Sequence, residues 1–217
     1  MATLTSLQIG KIAPLGPNGV PSGIVKHPVE GAVALRGHQL EGDETADLTV
    51  HGGPDKAVYA YSADHYPVWA AERPKHAARL TPGAFGENLT IAGLVEDDLC
   101  IGDVHEIGTA RLQICQPRQP CSKFAMLFAD PTLPKAFVRS GRSGWYYRVV
   151  REGVLQAGDA VTLVERPHPG LTFPRMVSIV NFGEANRDEL AAMANATGLA
   201  TWLQARARAA LEAAGQG

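Results

Sequence analysis

The chain of 217 residues has only three cysteines, Cys100, Cys115 and Cys121. An odd number without paired spacing argues against a disulfide framework. There is no Cys-x-x-Cys and no set of four cysteines, which makes a structural zinc site or a cysteine-ligated iron–sulfur cluster a poor reading. A Gly-x-Gly-x-x-Gly after a strand is missing, and so is a phosphate-binding Walker loop. Electrons for any redox chemistry are therefore expected from outside the chain. No apolar run approaches the ~18 residues of a membrane span. The opening, Met1 to Ser6, lacks a basic region followed by a long apolar core. It predicts no signal peptide, and hence a cytoplasmic protein. Nor does charge of one sign dominate: 20 basic residues stand against 22 acidic ones, net −2. That balance gives no electrostatic case for nucleic acid or an anionic membrane as partner.

Hydrophobic residues make up 45% of the chain, a globular composition. The strand candidates are short and closely spaced. Leu4 to Pro14 alternates and reads as a first strand. Ile24 to His27, Ala32 to Leu35, Ala57 to Tyr61, Ala110 to Cys115 and Trp145 to Val150 follow. Such spacing suggests an antiparallel sandwich or barrel. Ile101-Gly102-Asp103-Val104 is echoed by Ala157-Gly158-Asp159-Ala160, as two barrel corners would be. Ser62 is a candidate N-cap for a helix running to about Glu72.

After Val164 the composition changes. Pro167-His168-Pro169-Gly170 reads as a linker. Thr172 is placed to cap one helix, Asn186-x-x-Glu189 forms a capping box before a second, and the alanine-rich 202–214 stretch is a third. The sequence thus divides into a mainly β sandwich or barrel over 1–166 and a small three-helix appendage over 167–217.

The chemistry centres on Gln116-Pro117-Arg118-Gln119-Pro120-Cys121-Ser122-Lys123. Two prolines fix φ and remove two backbone donors, so the segment is a rigid extended loop. Ser122 to Phe128 reads as a short helix, which puts Cys121 at its start. The helix terminus, Arg118 and Lys123 all favour thiolate over thiol. A thiolate is a nucleophile and a soft metal ligand. The alternative is an ordinary buried cysteine.

A second stretch runs through Asp43 to His51-Gly52-Gly53-Pro54-Asp55-Lys56. It is either a ligand loop, with glycines admitting close backbone approach and Lys56 meeting an anion, or a solvated turn. Glu87 and Asn88 either hydrogen-bond a polar ligand or simply start a strand. Arg142 and Ser143 either hold an anion or form a solvated turn. Leu112 and Ile114 share one strand face, which leaves Cys115 on the other. Cys100 reads as core.

Four of these stretches in order resemble the MOSC family, named for the C-terminal domain of molybdenum cofactor sulfurase, and within it the YiiM-like branch. They are Leu40-Glu41-Gly42-Asp43, Val50-His51-Gly52-Gly53-Pro54-Asp55-Lys56, Phe85-Gly86-Glu87-Asn88-Leu89 and Gln116-Pro117-Arg118-Gln119-Pro120-Cys121. The resemblance covers about residues 4–165, and the helical tail matches as well. It implies a closed β-barrel that binds the molybdenum cofactor, a molybdopterin, with Cys121 as catalytic residue and metal ligand. It implies reduction of N-hydroxylated compounds, such as N-hydroxylated bases, with electrons from an external reductase. Arg118, Lys56 and Lys123 suit the pterin phosphate, and motif membership assigns pterin contacts to His51, Asp43, Gly52, Gly53, Glu87 and Asn88. No pyridoxal phosphate is expected, because the lyase domain carried by some relatives is absent. The competing expectation is a non-redox binding or sulfur-carrier module with a persulfide on Cys121. The expected partners are a small-molecule substrate and the reductase, with neither nucleic acid nor membrane, and a homodimer left open.

Overall fold

In the computed structural model of the protein, residues 1–49 and 51–215 are described; Val50, part of the second motif, lies outside the described residues. The N-terminal third holds β1 (Ala2–Ile9), β2 (Ala13–Leu15), β3 (Val20–Ser22), β4 (His27–Pro28), β5 (Val33–Arg36), β6 (Gln39–Leu40) and β7 (Val58–Ser62). Next come α1 (His65–Glu72), β8 (Leu89–Ala92), β9 (Val104–Ile107), β10 (Ala110–Pro117), α2 (Ser122–Phe128) and α3 (Leu133–Ser140). The chain ends with β11 (Trp145–Arg151), β12 (Gly153–Leu155), β13 (Ala160–Glu165), α4 (Phe173–Phe182), α5 (Arg187–Asn195) and α6 (Thr201–Ala214).

Seven strands close a barrel in the order β13-β9-β10-β11-β7-β8-β1, and β1 returns to β13 through Ala2↔Val161 and Thr3↔Ala160. All neighbours are antiparallel except β7 and β8, which run parallel. The expected all-antiparallel sheet is corrected there. A parallel pair needs a crossover, and α1 supplies it. The two Gly-Asp corners are genuine equivalents: Asp103 accepts from the N–H of Cys100, and Asp159 from that of Gln156, each three residues back. Their strands, β9 and β13, are neighbours in the barrel.

The first strand is shorter than its alternation predicts. It breaks at Gly10, where a β-carbon would lie 2.5 Å from the Val25 carbonyl oxygen, and the Gly10 N–H leaves the ladder to donate to Asp43 Oδ1 at 2.7 Å. Helix α1 starts later than Ser62 suggests. Ser62 is the buried end of β7, and its hydroxyl only accepts from the Asp64 N–H at 3.3 Å. Strand β10 keeps Leu112 and Ile114 inward, but its register shifts between Ile114 and Gln116, so Cys115 is buried as well.

Two apolar clusters result. The barrel interior, with Leu4, Leu7, Ile91, Leu112, Ile114 and Trp145, merges with Phe173, Met176 and Leu203 of the C-terminal helices, and Leu199 between α5 and α6, into one. The other is aromatic: Tyr59, Tyr61, Tyr66, Trp69, Phe85, Phe124, Phe128 and Phe137 gather where α1, α2 and α3 meet the barrel wall. No helix among the described residues is long and apolar enough to cross a membrane.

Candidate active site

An open cleft lies beside the aromatic cluster. It brings together residues far apart in sequence. Ser22, Gly23, Ile24 and Lys26 form one wall; Asp43, Glu44, Thr45, Asp47, His51, Gly52 and Lys56 a second; Gly86 and Asn88 a third; Arg118, Cys121, Lys123 and Tyr146 the last.

Cys121 is the residue before α2, in extended conformation (φ −105°, ψ 177°). Burial pushes its thiol up. The His51 side chain hydrogen-bonds the sulfur, the Arg118 guanidinium adds positive charge, and the N–H groups of Phe124 and Lys123 add theirs. Together these outweigh burial and bring the thiol down to about 7. The sequence reading had the direction right but the agents partly wrong. Lys123 acts on the sulfur through its backbone N–H, while its ammonium helps to lower the pKa of Asp47. His51, read from the sequence as a pterin contact, is a partner of the thiol. No local pattern announces that pairing, because 70 residues separate the two. Cys115 behaves oppositely: burial drives its thiol far above the ordinary range, and it donates to the carbonyls of Asp55 and Tyr146. Cys100 is buried, and its thiol is also raised by burial.

Arg118 is 5% exposed. Its guanidinium carbon lies 4.5 Å from the Phe124 ring centroid, 5.1 Å from that of Tyr59 and 5.3 Å from that of Phe137. The stack fixes the plane of the guanidinium. Its Nη1 is buried and has no hydrogen-bond partner within the protein. A buried charged donor left unmatched costs more than the ~1–3 kcal/mol of a neutral one.

Opposite lies an ion pair that the sequence did not signal. Lys26 Nζ meets Asp43 Oδ1, and both side chains are under 10% exposed. Burial lowers the lysine pKa, and Asp43 works against that shift. Asp43 Oδ2 accepts from Asn88 Nδ2 at 2.9 Å, and Asn88 Oδ1 accepts from the Tyr59 N–H at 3.2 Å. Asp43 and Asn88 therefore line the cleft, with much of their bonding capacity spent on holding its walls. The buried Lys26 had no readable signal, standing alone in a run read as a strand.

Two expected contacts move away from the cleft. Glu87 is fully buried and accepts from Tyr66 Oη, from the N–H groups of Gly83 and Phe85, and from Thr90 Oγ1. It ties the glycine turn to α1 and does not line the cleft. Gly53 (φ 81°, ψ 179°) sits at the start of the short 3-10 turn Pro54–Lys56, and is also outside the lining. Gly52 does line it, at φ 99°, a backbone conformation that favours glycine. Ser143 is buried, its carbonyl accepting from Tyr59 Oη and its hydroxyl donating to the Gly144 carbonyl. Arg142 stacks on Trp69, with its guanidinium carbon 4.1 Å from the ring centroid. Neither lines the cleft.

A family model described as the MOSC domain matches residues 47–162, just over half of the chain. The chain belongs to the MOSC domain family. Over 187 residues it is 41% identical to protein YflK of Bacillus subtilis, covering 84% of this chain and 82% of that one. The crystal structure of YiiM from Geobacillus stearothermophilus superimposes with a TM-score of 0.80 at 35% identity, over 97% of this chain and all of that one. A protein named a reductase in Gibberella moniliformis is 38% identical over 151 residues, which are 69% of this chain but 27% of that protein. In this MOSC protein the matched region runs from before β7 into β13 and includes Cys121, Arg118 and the whole of the second motif. The cleft residues Ser22 to Lys26 and Asp43 precede it.

Proposed function

We propose that this MOSC protein binds the molybdenum cofactor in the cleft and acts as an oxidoreductase on N-hydroxylated compounds, with electrons from a partner reductase. One observation carries the reading: a fixed arginine with an unmatched buried Nη1 shares a cleft with a thiol brought down to about 7. The donor set is one soft sulfur among several cations. Among the described residues, no three His, Cys, Asp or Glu side chains gather to hold a bare metal ion. Such a set suits a metal that brings its own anionic scaffold.

When bound, the cofactor would supply the two-electron chemistry. The chain's own residues divide the remaining work. Cys121 would offer the sulfur ligand, its thiol drawn towards thiolate by His51 and Arg118. Arg118 Nη1 and Lys56 would meet the phosphate of the pterin. The Lys26–Asp43–Asn88 chain holds the opposite wall. The relative named a reductase supports an electron-transfer role, and it is a much longer protein.

The test is metal and pterin analysis of protein made in a cofactor-competent host, followed by turnover of an N-hydroxylated purine with an artificial electron donor. Stoichiometric pterin and molybdenum with turnover are expected. A persulfide on Cys121 without pterin would replace this reading with sulfur carriage.

A further inference from the structure

Both halves of the thiol site meet at Asp55. The loop carrying His51 and Lys56 closes in the turn Pro54–Lys56. The strand leading to Arg118 and Cys121 is β10. The Asp55 main-chain carbonyl joins them, accepting from Gln116 Nε2 at 2.7 Å and from Cys115 Sγ at 3.0 Å. One carboxylate oxygen accepts from Arg148 Nε of β11 at 3.0 Å. The other accepts from the Thr201 N–H at 2.8 Å and its hydroxyl at 3.0 Å, in the first turn of α6. The same turn grips β10 directly: the Ala200 N–H donates to the Cys115 carbonyl at 2.9 Å, and Trp202 Nε1 to Gln116 Oε1 at 2.8 Å. Asp55, Gln116 and Thr201 all lie outside the cleft lining.

We propose that Asp55 is a positioning residue, and that through it the first turn of α6 holds His51 and Lys56 against Cys121. The C-terminal helices then shape a site they do not line, although α4 also meets it where the Val180 carbonyl accepts from the cleft residue Gln119 at 3.5 Å. The proposal deepens the cofactor reading and rests on it only for what the held charges serve. The groups acting on the sulfur are His51 and Lys56 from the loop, Arg118 from the end of β10, the N–H groups of Lys123 and Phe124 from α2, and Tyr146 from β11. Asp55 is not among them, and its own charge would weaken the positive field at the sulfur, so any strengthening it brings passes through the loop.

The test uses full-length protein without cofactor, at a single pH. Cys121 is alkylated competitively with iodoacetate and iodoacetamide and read by peptide mass spectrometry. The ratio of the two rates cancels the thiolate fraction and reports the positive field at the sulfur. Moving Lys56 and His51 away should lower that ratio by about two- to fivefold in Asp55→Ala. Loss of the carboxylate charge alone works the other way, since it leaves the field more positive. The sign therefore separates positioning from simple charge removal. Thr201→Val should lower the ratio in the same direction by less. Arg175→Ala, which loosens α4 from α5 away from this junction, should leave it unchanged. An unchanged or raised ratio in folded Asp55→Ala overturns the proposal. If that variant does not fold, an unchanged ratio in Thr201→Val does so. A lowered ratio in protein that never takes up pterin keeps this inference and sinks the cofactor reading. An unchanged ratio in protein that loads pterin and molybdenum does the reverse.

Discussion

At the residue scale, the proposed function turns on Cys121 and Arg118, and each allows a separate prediction. Alkylation of Cys121 by a neutral reagent should be half-maximal near pH 7, where its thiol sits. Below that pH the sulfur is protonated and slow; above it, thiolate and fast. His51→Ala removes the bond that favours thiolate, so the midpoint should rise towards the ordinary ~8.5. A midpoint unmoved in His51→Ala would show that Arg118 and the helix amides suffice. Cys121→Ala should unfold at nearly the parent temperature and take up no molybdenum. Alanine at Cys115 should instead lower stability, because that thiol is buried between two carbonyls. For Arg118, charge reversal is a poor probe, since a carboxylate would face three aromatic rings. Arg118→Gln is the better variant. It should keep the fold and cut pterin occupancy by roughly tenfold or more, the scale of one charge-assisted hydrogen-bonded contact. Full occupancy in that variant would remove Arg118 from the anion site.

At the element scale, α5 is held by its start. Asn186 Oδ1 accepts from the Glu189 N–H at 2.9 Å, Glu189 Oε2 accepts from the Asn186 N–H at 2.8 Å, and Arg175 of α4 donates to the same carboxylate. The Arg175 bond, and then the Asn186 N–H, hold Glu189 down at about 2. A carboxylate lowered in the folded state adds stability above its unfolded pKa of ~4.3. That contribution is therefore lost as pH falls from about 4 through about 2. Glu189→Gln should lower the thermal midpoint at pH 7, and the gap to the parent should close by pH 2. A gap that persists at pH 2 would assign the effect to shape and not to charge. The capping box was readable because it is local, three residues apart. The Arg175 bond was not, since it joins two helices.

At the scale of the whole molecule, the C-terminal helices complete the barrel's core. Phe173 is fully buried, and its ring packs 6.5 Å from that of Trp145 on β11. Phe173→Ala should cost ~3–5 kcal/mol in denaturant unfolding, with one cooperative transition for barrel and helices together. A separate early transition for the helices would show that they unfold independently. Helix α6 also reaches the thiol site through Asp55, so stability and site geometry share an anchor.

The sequence by itself determined the local features. Alternation, proline bracketing and capping patterns act over a few residues, so they showed the strand β10, the helix α2, the three C-terminal helices and the place of Cys121 at a helix start. Four ordered motifs pointed to the family and so to barrel closure. Only the tertiary structure decided who meets whom. His51 reaches Cys121 across 70 residues of chain, Lys26 pairs with Asp43, and Glu87 turns into the core although Asn88 beside it lines the cleft. Gly10 ends the first strand because another backbone passes close by. These outcomes depend on how the barrel closes and what it buries, and burial and long-range pairing leave no mark on a short stretch of sequence.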